Sequence, residues 1–108
     1  MRILVTKPIL DYENEKIKTE DGKTLIVRDA LSLAINNLAP DEVLKAEDKS
    51  KIYMLSIKLF KSKEVDLTTD DRVFIRERAG KVLGSALIYG RICDILFPED
   101  GKDKKEDK

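Results

Sequence analysis

Residues 21–40 read DGKTLIVRDALSLAINNLAP, and within these positions the chain passes from turn and strand signals to helix signals. Asp21-Gly22 is a turn signal, since glycine supplies the backbone angles a tight reversal needs. Thr24-Leu25-Ile26-Val27 suits a short strand. The same residues open a helix just after Thr24, whose hydroxyl can cap free backbone amides. Val27, Ala30, Leu31, Ala34, Ile35 and Leu38 then follow the three-and-four spacing of an amphipathic helix. Asn36-Asn37 weaken its end and Ala39-Pro40 stop it. β structure followed by helix, so near the N-terminus, sets the fold class as α+β.

Working outward, Ile3-Leu4-Val5 is a short apolar run ended by Lys7-Pro8, because proline cannot continue a central strand. Asp11 to Lys16 reads as a turn, and Ile17 lies in a second short strand. Residues 2–27 therefore predict a β-hairpin or small antiparallel sheet, which must be covered on one face to be stable. Downstream, a second helix spans about Lys45 to Phe60. Ile52, Leu55, Ile57, Leu59 and Phe60 form its expected buried face, with Tyr53 and Met54 beside it. Acids cluster at its start and lysines at its end, which complements the helix dipole. Val65-Asp66-Leu67-Thr68 opens a third helix at 69–82, with Thr68 and Asp71 spaced as a capping box. Its buried side is expected at Val73, Phe74, Ala79 and Val82, with Ile75.

Ser85 caps a last helix, Ala86 to Phe97, that is apolar on nearly every side. Such a helix is normally surrounded by protein, so it is expected at the centre of the core. The reading is thus one globular domain over 1–98 with about four helices. Residues 99–108 hold nine charges in ten positions and predict a disordered tail.

The 108 residues carry 21 Lys+Arg against 21 Asp+Glu, one Cys and no His. One cysteine excludes a disulfide scaffold and Cys- or His-rich metal sites, and the lack of imidazole excludes His-dependent catalysis. Zero formal net charge removes the usual electrostatic case for nucleic acid or anionic membrane. No apolar run approaches the ~18–20 residues that span a bilayer. Nor does the N-terminus have the apolar region of a signal peptide. A cytoplasmic location is expected. Gln is absent and Asn occurs only at 14, 36 and 37; thermophily and an AT-rich genome both produce that bias.

The chemistry-bearing patterns are sparse. Cys93 lies in an apolar helix with no histidine to activate it. Gly80-Lys81 lacks the rest of a phosphate loop. Asp11, Glu13 and Glu15 alternate like calcium ligands without the loop's glycine or closing Glu. From 41 to 63, six lysines are offset by four acids, too small an excess for a phosphate-binding surface. No catalytic residue, cofactor or metal is expected.

Taken in order, a series of phrases resembles a group of short uncharacterised proteins of tailed bacteriophages. They are Asp21-Gly22-Lys23-Thr24-Leu25, Arg28-Asp29-Ala30-Leu31, Lys51 with Tyr53, Leu55, Lys58 and Leu59, and Val65-Asp66-Leu67-Thr68. Gly80-Lys81 and Tyr89-Gly90 followed by Asp94-Ile95-Leu96 continue the series. The match covers most of 20–97. It implies a viral origin and action inside the infected cell, in the host cytoplasm, and carries no activity to any residue.

Two functions are weighed. The first is a non-enzymatic protein–protein interaction module, a virion assembly factor or a binder of a host protein, with a homo-oligomer also possible. Its expected surface is Tyr89, Phe97 and Arg91 on the over-apolar last helix. The alternative is a nucleic-acid-binding regulator using Arg72, Arg76 and Arg78 of the helix at 69–82. The acids interleaved with these arginines argue against it.

Overall fold

The computed structural model describes residues 1–99, so all of the expected tail but Glu99 lies outside the described residues. Two strands and four helices follow in the order β1 (Arg2–Leu4), α1 (Val27–Asn36), α2 (Ala46–Lys61), β2 (Glu64–Asp66), α3 (Thr69–Val82) and α4 (Ala86–Leu96). The fold class is α+β.

The expected small antiparallel sheet is present, but it is not a hairpin of neighbouring N-terminal strands. β1 pairs antiparallel with β2, some 60 positions away in sequence, with Ile3 opposite Val65. Ile3 and Val65 point inward while their neighbours face solvent, the two-residue alternation of a one-sided sheet. The Met1 ammonium donates to the Leu67 carbonyl at 2.9 Å, and Leu67 N–H returns a bond to the Met1 carbonyl at 2.7 Å. Residues 64–66, read from sequence as the lead-in to a helix, are thus the second strand.

Between β1 and α1 the chain folds back twice with single-residue bridges instead of full strands. Ile9 N–H donates to Leu25, Leu25 N–H to Ile17 and Ile17 N–H to Ile9, closing a ring of three bonds. The expected turn at Asp21-Gly22 is present, with Gly22 at φ 83°. Asp11 closes the other turn, its carboxylate accepting from the Glu13 and Glu15 amides at 2.8 and 3.0 Å. Asp11 and Glu15 thereby serve a turn.

Thr24 does not cap α1. It sits in a bridge to Lys18, and the helix starts at Val27 with no side-chain cap. Val27 and Arg28 N–H donate instead to the Lys7 and Val5 carbonyls, each at 2.8 Å. Extended backbone from the N-terminus thus satisfies two amides that every helix start leaves open. The expected cap of α3 is present in full: Thr68 Oγ1 accepts from Asp71 N–H at 3.0 Å, and Asp71 accepts from Thr68 N–H at 3.1 Å. Ser85 caps α4 by accepting from Ile88 N–H.

The centre of the helical layer is α1, not α4. α1 packs against α2, α3 and α4, and buries Val27, Ala30, Leu31, Ala34 and Ile35. Its small Ala30 and Ala34 let neighbouring helices come close. α4 buries only Ile92 and Leu96 completely, and a methyl placed on Gly90 would meet nothing within 4 Å. Ile88, Tyr89, Ile95 and Phe97 lean on the core from its edge. In α3 the buried residues are Ile75, Arg78 and Ala79. Val73, Phe74 and Val82, expected inside, are only half-buried.

Candidate functional site

Helix α2 departs furthest from its expected packing. Ile52, Leu55 and Leu59 are buried, a narrow stripe at helical spacing that faces the core. Tyr53, Met54, Ile57 and Phe60 are instead 67, 61, 43 and 57% exposed. These four were read from sequence as part of the buried side or its border. They form a second apolar stripe, because α2 meets its neighbours along one edge and nothing within the described chain covers its outside.

The stripe runs the length of the helix. Ala46, Ser50, Tyr53, Ile57 and Phe60 are spaced four, three, four and three, and all five are exposed and uncharged. That is the seam spacing of a helix that packs against another helix. The stripe is held firmly from behind. Arg28 of α1 donates from Nε to Leu59 O at 2.6 Å and from its terminal nitrogen to Ser62 O at 2.9 Å. Its guanidinium also lies over the Phe60 ring at 5.4 Å. Asn36 Nδ2 reaches Ser56 Oγ at 3.1 Å.

Charged contacts fix the ends of α2. Lys58 Nζ meets the Asp71 carboxylate at 3.3 Å. Burial pushes the Asp71 carboxyl up, but hydrogen bonds from Thr68 N–H and Lys58 outweigh it and leave the acid below its ordinary value. In the loop before α2, Glu42 takes a hydrogen bond from Arg78, accepts from Ala39 N–H at 2.9 Å, and has Lys81 Nζ at 3.9 Å. The Arg78 bond first, then that from Ala39, hold its carboxyl below the usual range.

The residues singled out on α4 are not an open surface. Tyr89 and Phe97 are half-buried. Phe97 carries the Arg76 guanidinium at 4.0 Å and that of Arg72 at 5.0 Å over its ring. Tyr89 lies over Gly80. The neighbouring Cys93 sulfur first, and then burial, push the Tyr89 phenol up, with Arg76 opposing. Arg91 fastens the N-terminal loop, donating from Nε to Leu10 O at 2.8 Å and from a terminal nitrogen to Asp11 O.

The arginines of α3 are similarly engaged. Arg78 is buried, bound to Glu42 and donating to Asn37 O at 2.6 Å. Arg72 donates to Leu96 O at 2.8 Å. Arg72 and Arg76 stack on Phe97 as described, so the three side chains tie α3 to its neighbours instead of forming one outward basic face.

A cleft of about 680 Å³ lies between β1, the N-terminal loop and α4. Arg2, Lys7 and Arg91 share its wall with Glu64 and Asp94. Charges of both signs line it, and the Arg91 guanidinium is occupied by backbone carbonyls. Among the described residues no group of three or more His, Cys, Asp or Glu could hold a metal ion, and no helix is long and apolar enough to cross a membrane.

The outer stripe of α2 had a signal in the sequence: its apolar residues span too wide an arc for a helix with only one covered edge. No family model, curated protein or solved structure matches the chain.

Proposed function

We infer that this chain is a non-enzymatic protein–protein interaction module whose docking face is the outer stripe of α2. The observation that carries the reading is the exposed set Tyr53, Met54, Ile57 and Phe60 on one helix. Contiguous exposed apolar side chains rimmed by polar ones mark interaction surfaces, and aromatic residues and Met are the types enriched there. A helix braced from behind by Arg28 and Asn36 presents them with little ordering left to do on binding. The resemblance to short phage proteins fits an adaptor of this kind, one that assists virion assembly or engages a host protein. The nucleic-acid alternative is less well supported, since Arg72 and Arg78 already serve intramolecular acceptors.

The test is a photo-crosslinking residue placed at position 53 and, as a control, at exposed position 23. Position 53 is expected to give defined adducts in cells producing the protein and position 23 none. Equal or absent adducts at the two positions would overturn the reading.

A further inference from the structure

We propose that the occupant of this face is a second copy of the chain, docked antiparallel along α2 about a two-fold axis that passes beside Tyr53 and Met54. The proposal rests on α2 being the docking face, and adds the identity of the partner.

Its support is a charge pattern that is complementary to its own reverse. Beside the stripe, Glu47, Met54 and Lys61 recur at seven-residue intervals, so they form one row along the helix edge. All three are exposed. Turning a second α2 end over end places Glu47 against Lys61 of the other copy, Met54 against Met54, and Lys61 against Glu47. The opposite edge carries Lys49 and Ser56, which meet each other without bringing like charges together. A parallel pair in register would set Glu47 beside Glu47 and Lys61 beside Lys61. The row therefore selects the antiparallel arrangement, the one a two-fold axis across the helix produces.

The seam between the two helices would be Ser50, Tyr53, Ile57 and Phe60 from each copy, flanked by Ala46. Small residues at one end and large apolar ones at the other again suit the reversed pairing, which sets Ala46 and Ser50 opposite Phe60 and Ile57. The chain's zero formal net charge leaves no long-range repulsion between copies. Sixteen residues make a helix about 24 Å long. A single helix pair of that length falls at the lower limit of specific interfaces, so dissociation on the order of tens of micromolar is expected.

Analytical ultracentrifugation of the full chain tests this. Wild type is expected to pass from monomer to dimer as concentration rises through that range. Glu47→Lys and Lys61→Glu, each alone, set like charges against each other twice per dimer and should weaken association about ten-fold. Mixing the two variants brings lysines opposite glutamates at both contacts, and should restore association to near the wild-type level. Both positions are exposed, and a circular dichroism melt of each variant verifies that it is folded. A wild type that stays monomeric well above the expected range overturns the proposal, as does a mixture no heavier than its components. Monomeric wild type with position-53 adducts to a different protein refutes self-association while sparing the interaction reading. Monomeric protein with no such adducts refutes both.

Discussion

Helices α2 and α4 reverse the roles their compositions suggest. α4 has a single charge of each sign between residues 83 and 98, yet it lies at the edge of the core and fully buries only two side chains. α2 is rich in lysine and acid, yet it exposes four large apolar side chains. The difference teaches that hydrophobicity says how much surface a helix would gain by hiding, and neighbours decide what is hidden. α4 has α3 and α1 against it, together with loop residues fastened by Arg91. α2 is attached along one edge by α1 and at its ends by charges, and among the described residues nothing covers its outside.

The largest effect that bears on this contrast comes from paired truncations. Ile92→Ala removes a completely buried α4 side chain, and should cost about 3 kcal/mol of unfolding free energy. Ile57→Ala, on the α2 stripe, should cost below about 1 kcal/mol for the monomer. Chemical denaturation at low protein concentration measures both. Equal losses would mean that α2 is covered in solution as thoroughly as α4.

Acid should separate the two helices next. Glu42 and Asp71 both have carboxyls held below their ordinary values in the folded chain. A depressed folded value stabilises the protein when the group is charged. That contribution is complete above the normal carboxylate range and is lost as pH falls through the depressed values, from about pH 4 downward. Glu42 ties the loop before α2 to Arg78, and Asp71 ties the α3 cap to Lys58 of α2. Hydrogen exchange should therefore show α2 amides losing protection before those of α4 as pH is lowered. Simultaneous loss would show that the charges act on the whole fold alike.

The smallest expected change is a gain. Gly90 lies within α4 and has open space where a side chain would begin. Gly90→Ala should stabilise by roughly 0.5–1 kcal/mol, the ordinary helix preference for alanine. A loss instead would place α4 in closer contact with its surroundings than its edge position provides, and a thermal melt suffices to decide.

Much of the local structure was legible in the residues. The reciprocal cap of Thr68 and Asp71, the Ser85 cap, the turn at Gly22 and the apolar spacing of α1 each depend on groups a few positions apart. Their energetics are nearly complete within one turn of chain. The sequence places the start of α1 too early because its first amides are served by the Lys7 and Val5 carbonyls, partners 20 or more positions away. The β1–β2 pairing was missed for the same reason, since three-residue strands carry too little pattern to name a partner. The arginines of α3 look alike in sequence, and only packing assigns Arg78 to Glu42 and Arg72 to the end of α4. Tyr89, Phe97 and Arg91 of α4 read as a surface from composition, whereas the fold half-buries them, because composition does not set exposure.

What the sequence determined by itself is the set of elements: four helices with most of their boundaries, an α+β class, and a charge balance that favours no polyanionic partner. Tertiary structure alone decided that α1 takes the centre, that the N-terminus closes a sheet with residues 64–66, and that α2 faces outward. The division follows from range. Caps, turns and helical periodicity are satisfied by neighbours in the chain, whereas burial is settled by which surfaces meet after the chain has folded back on itself.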